Sequence, residues 1–146
     1  MTGQRGTTLI ELLGVLALIG VTVVAVVVRY QSVGNPLDTA TSLLEGELRE
    51  ARLNAIATMS AYRVTPAATN RLQGDKGATC SATSWTGDSS LTNVLPTGVT
   101  MSPTTWSVCY SSRGISTANT TITLSHSTYG TRRVEVLVGG TSRVIP

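Results

Sequence analysis

Phenylalanine is absent from this 146-residue chain, histidine occurs once and cysteine twice, and Lys76 is the single lysine. Charged residues amount to 13%, about half the roughly 25% usual in globular domains. Each shortage closes a class of function. Cys80 and Cys109 belong to no CxxC pair and His126 is the one further soft ligand, which excludes a four-ligand zinc site and a dense disulfide framework. His126 also lacks the company that catalysis needs. Ser125 and Ser127 flank it, but adjacent strand residues point to opposite faces and cannot make a nucleophile–base contact. No phosphate-binding loop or metal-ligand spacing occurs. The expectation is therefore no catalytic residue, no metal and no cofactor. A net charge of +3 is too small to indicate nucleic-acid binding by itself. The two cysteines leave two readings open. In an exported domain they form one disulfide closing a loop of about thirty residues, which contributes roughly 3–4 kcal/mol. In a reducing cytosol they are two small buried residues.

What the chain does have is concentrated at its start. From Leu12 to Val28 no residue is charged, a run worth about 25 Å of helix at roughly 1.5 Å per residue. Adding Thr7 to Ile10 makes it long enough to cross a hydrocarbon core of about 30 Å. Arg5 before the run and Arg29 after it give little charge asymmetry, although Arg5 suits a short cytoplasmic leader. Glu11 stands out, because a carboxylate within an apolar segment persists only with a partner or a functional role. A secretory signal would be cut after its apolar stretch, whereas the small-residue candidate here, Gly6, precedes it. Cleavage at Gly6 leaves the apolar helix on the mature protein.

The segment Gly6-Thr7-Thr8-Leu9-Ile10-Glu11-Leu12-Leu13 resembles the class III signal of type IV pilins and type II secretion pseudopilins. The resemblance implies that a prepilin peptidase cuts after Gly6 and methylates the new N-terminus at Thr7, where the family usually has phenylalanine. It also implies that Glu11 pairs with the N-terminal amine of a neighbouring subunit during assembly. A pair that forms only at the correct axial stagger specifies register.

Beyond the apolar run, Gly34-Asn35-Pro36 interrupts the helix, and Asn35 as N-cap, Pro36 at the first position and Asp38 in the first turn predict a restart or kink. Leu37, Ala40, Leu44, Leu48, Ala51, Ala55, Met59 and Tyr62 then recur at spacings of three and four, one apolar stripe suited to packing on a sheet. Glu45, Glu47, Arg49, Glu50 and Arg52 form the opposite, solvated face, with Glu45 and Arg49 spaced as an ion pair. After Tyr62 the period falls to two. Short strands are expected over 62–65, 98–101, 105–110, 120–125, 132–138 and 141–145, the last two joined by a Gly139-Gly140 turn. The stretch 70–96, rich in Gly, Ser, Thr and Asp, is expected to be a long loop that a Cys80–Cys109 bridge would pin to the sheet. The predicted class is α+β, a long helix packed on a small antiparallel sheet. Residues 1–6 form the leader, 7–30 the transmembrane and filament-core helix, 31–61 its amphipathic continuation and 62–146 the β domain.

Leu48-Arg49-Glu50-Ala51-Arg52-Leu53-Asn54-Ala55-Ile56, Leu95-Pro96-Thr97-Gly98-Val99-Thr100, Ser112-Arg113-Gly114 and the hairpin 132–143 are similar, in order and spacing, to the GspH/FimT group of minor pilins and pseudopilins. That resemblance implies a subunit held in the inner membrane by one span, with its C-terminal domain outside, and later packed into a surface filament. Its partners would be other pilin subunits, the prepilin peptidase, the inner-membrane assembly platform and membrane lipid. Some members of the group bind DNA during natural transformation through a basic tip. The comparable Gly139-Gly140-Thr141-Ser142-Arg143-Val144 keeps one arginine, and Arg113, Arg132, Arg133 and Arg143 are the candidates for converging at one end of the sheet on DNA phosphates. Minor pilin or pseudopilin is thus the expected function, and DNA capture for uptake the alternative. A membrane-anchored sensor, left uncut at Gly6, is a third possibility.

Overall fold

The computed structural model describes residues 34–145. Gly6, Thr7, Glu11 and the apolar segment 7–30 lie outside the described residues. Helix α1 spans Pro36–Ala57 and starts as its sequence directs: the Asn35 side chain accepts a hydrogen bond from Leu37 N–H at 2.9 Å, and proline occupies the first turn. Leu37, Ala40, Leu44, Leu48, Ala51 and Ala55 are all fully buried, so the stripe is the core-facing side of the helix. It stops earlier than its spacing suggested. Met59 is 83% exposed with φ of 50°, and the N–H groups of Met59 and Ser60 turn back to Ile56 and Ala55 at 3.3 and 3.2 Å. These two bonds form a Schellman cap with methionine at the left-handed position. Tyr62 is buried as a strand residue instead.

Eight strands follow: β1 (Ala61–Ala68), β2 (Arg71–Gly77), β3 (Thr86–Asp88), β4 (Val99–Ser102), β5 (Val108–Tyr110), β6 (Thr120–His126), β7 (Gly130–Val136) and β8 (Ser142–Ile145). They form two antiparallel four-stranded sheets, ordered β3-β2-β1-β5 and β4-β6-β7-β8, rather than the single sheet expected. Helix α1 packs on both. One continuous core joins its stripe to Val64, Leu72, Val108 and Tyr110 of the first sheet and to Val99, Met101, Ile122, Leu124, Val134 and Val136 of the second. No helix among the described residues is long and apolar enough to cross a membrane.

The stretch 70–96 is the main correction, for it holds β2, β3 and a 3-10 turn at Ser89–Leu91. Strand β2 reads Arg-Leu-Gln-Gly-Asp-Lys-Gly and has no β-branched residue. It is held by other means. Gly74 leaves the space that the Leu91 side chain fills, so that a Cβ there would overlap it. Asp75 is buried directly opposite Arg63 of β1, whose guanidinium bonds its carboxylate at 2.7 Å. Arg63 also lies 4.2 Å above the Trp85 ring, whose indole N–H donates to the Ala82 carbonyl at 2.9 Å. Cys80 and Cys109 are disulfide-bonded with Cα atoms 5.8 Å apart, tying the remaining loop to β5.

Strand β7 also begins and ends earlier than expected, at Gly130 and Val136. Val138 accordingly falls outside the strand and is 47% exposed, its N–H bonded to the Asn119 side chain at 2.8 Å.

Candidate functional site

Alternation along β7 turns Val134 and Val136 inward, so Arg133 and Glu135 face outward while Arg132 takes the inward side where the strand begins. Arg132 meets Asp38, in the first turn of α1, at 3.4 Å. Arg143 of β8 lies opposite Glu135 and contacts its carboxylate at 2.6 Å. Arg133 is exposed. Arg113 sits in a turn closed by the Gly114 N–H to Ser111 carbonyl bond of 2.8 Å, and Gly114 packs against Ile56 and Arg52 near the far end of α1. Asp38 and Ile56 are separated by about 27 Å of helical rise. The expected convergence at one end of the sheet is therefore not found: Arg113 and Arg132 flank opposite ends of α1, and Arg132 and Arg143 each hold an acid.

Another pair of arginines shares a groove. One wall is the outer face of α1 with Ser42, Glu45, Gly46, Arg49 and Arg52, and the other is Gly140, Thr141 and Ser142, where the chain turns from β7 into β8. The groove has a volume of about 600 Å³ and Tyr110 at its base. Ion pairs among the described residues are Arg63–Asp75, Arg132–Asp38 and Arg143–Glu135, so the expected Glu45–Arg49 pair does not form. Among these residues neither Arg49 nor Arg52 has an acid partner.

Arg52 reaches between two turns that only glycine suits. Gly114 and Gly140 have φ of 71° and 81°, and a Cβ on either would come within 3.2 or 3.1 Å of the Arg52 Nε. Its Nη2 donates to the Gly139 carbonyl at 3.4 Å, and its Nε is buried with no partner among the described residues. Tyr110 is fully buried apart from 1% of its surface. Burial pushes its phenol up to about 12, against the nearby Arg52 guanidinium, so the hydroxyl stays neutral and able to donate.

Glu47 is buried too, to 6% exposure. Its Oε1 accepts from the Asn93 side chain and its Oε2 has no partner among the described residues. Burial pushes this carboxyl above its ordinary range, the Asn93 hydrogen bond opposing. His126 ends β6, its Nδ1 accepting from Thr128 N–H at 3.1 Å and its ring 4.9 Å from Tyr129. Among the described residues no cluster of His, Cys, Asp and Glu could hold a metal ion.

The sequence placed Arg49 and Arg52 on a solvated face and passed over Gly46 and Tyr110 as groove residues. The available signal was Gly46, a glycine in the middle of an otherwise regular amphipathic helix.

No family model and no curated protein matches the chain. Solved structures do match its fold. The type IV minor pilin FimU of Pseudomonas aeruginosa PAO1 superposes with a TM-score of 0.60 at 16% identity, over 75% of this chain and 88% of that one. A second crystal form of FimU gives 0.58 at 17%, over 75% and 93%. The minor pseudopilin EpsH of the Vibrio cholerae type 2 secretion system gives 0.59 at 17%, over 76% and 97%. The α+β fold of residues 34–145 is the one that FimU and EpsH share.

Proposed function

We propose that the chain is a minor pilin or minor pseudopilin, a non-enzymatic subunit of a type IV pilus or type II secretion filament. The observation that carries this reading is a conjunction. The Gly6 to Leu13 motif and uncharged run stand in the same chain as a domain with the fold of FimU and EpsH. Either feature alone is weaker, since an apolar N-terminus suits any signal anchor and a shared fold does not dictate function.

In this reading a prepilin peptidase removes residues 1–6, Thr7 becomes the methylated N-terminus, and residues 7–30 hold the subunit in the inner membrane until the assembly platform inserts it into the filament. The β domain is displayed outside. The carboxylate of Glu11 pairs with the amine of a neighbouring Thr7, which fixes axial register at the point where an unpaired charge would be most costly. DNA capture is the weaker alternative, because Arg132 and Arg143 are engaged by Asp38 and Glu135 and the four candidate arginines form no single patch.

The test is Glu11→Val in cells that express the full chain, followed by quantification in membranes and in sheared filaments. The variant is expected to insert normally and to be lost from filaments at least tenfold. Incorporation at the unsubstituted level contradicts the register role.

A further inference from the structure

We propose that the groove between α1 and the β7–β8 turn binds a carboxylate of a second protein chain, carried on an apolar segment of that chain. The inference rests on the filament reading, in which the second chain is another subunit.

Gly46 has no packing role that explains it. Glycine weakens a helix interior, and one is needed there where another element approaches closely. Here nothing approaches: a Cβ on Gly46 would meet no atom of the described residues within 4 Å. Gly46 instead lines the groove, so a side chain at this position would project into that space. Its smallness keeps the groove open and does nothing for the packing of the domain.

The walls supply the chemistry. Arg49 and Arg52 contribute two positive charges without an acid partner among the described residues. A neutral Tyr110 and the hydroxyls of Thr141 and Ser142 supply further donors around them. Planar guanidinium groups bind carboxylates well, often with two hydrogen bonds. Glu45 lines the same groove and brings its net charge to one positive. That balance matches a monoanionic carboxylate and would leave a phosphate dianion only half neutralised.

The rim identifies the bearer. Leu53 and Ile56 continue the outer face of α1 past Arg52 and are 56% and 45% exposed. Gly114, which touches Ile56, is followed by Ile115 at 45% exposure, and the turn on the other wall is preceded by Val138 at 47%. Exposed aliphatic residues beside unpaired arginines are the composition of a protein interface, with a specific charged anchor and an apolar surround. A small free acid has no use for that surround.

The test uses the full chain in detergent micelles. The probe is a capped pentapeptide, Ala-Leu-Glu-Leu-Ala, carrying a neutral dye and followed by fluorescence anisotropy against a micelle blank. The same peptide with glutamine in place of glutamate is the control, and N-acetylglutamate amide is the free-acid competitor. The glutamate peptide is expected to bind at least tenfold more tightly than the glutamine peptide. Gly46→Met and Arg49→Gln should each weaken it at least tenfold while the melting temperature is unchanged or raised, since both positions are exposed. Equal affinity for the two peptides, absence of binding, or unchanged affinity in Gly46→Met overturns the proposal. Competition by N-acetylglutamate amide at the peptide's own concentration range overturns the assignment to a protein chain. These results are independent of Glu11, so peptide binding can fail while Glu11-dependent assembly stands, and the reverse.

Discussion

A carboxyl group removed from water is costly to ionise unless it is paired, and the two buried acids of this domain differ in how far they are paired. Asp75 is held by Arg63 at 2.7 Å and by the Gln73 amide at 3.0 Å. Glu47 has the Asn93 amide on one oxygen and, among the described residues, nothing on the other. Arg63→Ala leaves the buried Asp75 carboxyl without its ion-pair partner, and is expected to destabilise the domain by about 3 kcal/mol; urea unfolding should show it to be costlier than Asp75→Asn, which strands only a partly exposed cation. For Glu47 the sign is reversed. Its folded pKa lies above the ordinary value of 4.5, so its protonated form is favoured by folding. Its contribution is therefore most favourable below pH 4.5 and is lost as pH rises through the folded value. Glu47→Gln is expected to raise the melting temperature at pH 7 and to lose that advantage near pH 4. An advantage that grows on acidification would contradict this account. Neither environment could be read from sequence, where Asp75 lay in an expected loop and Glu47 on an expected solvated face. Both depend on partners that only the fold brings together.

Elements with a regular apolar period were legible, and those held by single contacts were not. Helix α1 follows from Asn35, Pro36 and a stripe that stays buried as far as Ala55. Met59 and Tyr62 kept the same spacing by coincidence, because neither the left-handed cap nor the start of β1 changes the count. At φ of 50° Met59 carries a backbone strain that glycine would not, and its side chain buries little. Met59→Gly is thus expected to stabilise the domain by up to about 1 kcal/mol by thermal or urea unfolding; a clear loss of stability would mean that Met59 makes contacts its exposure does not reveal. Strand β2 was illegible for the opposite reason. Its glycines make room for Leu91 and Trp85, and its charge meets a cross-strand partner, so the information lies in its neighbours. In β7 the period of two holds, with Val134 and Val136 buried, and the strand's ends lie two residues earlier than expected.

At the scale of the molecule, the α+β class and the antiparallel pairing were readable from the change of period after α1, while the division into two sheets was not. Strand order is set by which strands pair, and a period of two is the same in either sheet. The groove was hidden for a similar reason: Arg49 and Arg52 lie on α1, whereas Gly140 and Thr141 lie far along the chain and reach them only through the β7–β8 turn. The cysteine ambiguity is resolved toward a disulfide. Filament membership turns on how the N-terminus is processed, and the most direct measurement is the N-terminal mass of the protein purified from its own membranes, with and without an active prepilin peptidase. A filament subunit is predicted to begin at Thr7 only when the peptidase is active. A chain that still begins at Met1 in cells with an active peptidase would contradict the assignment.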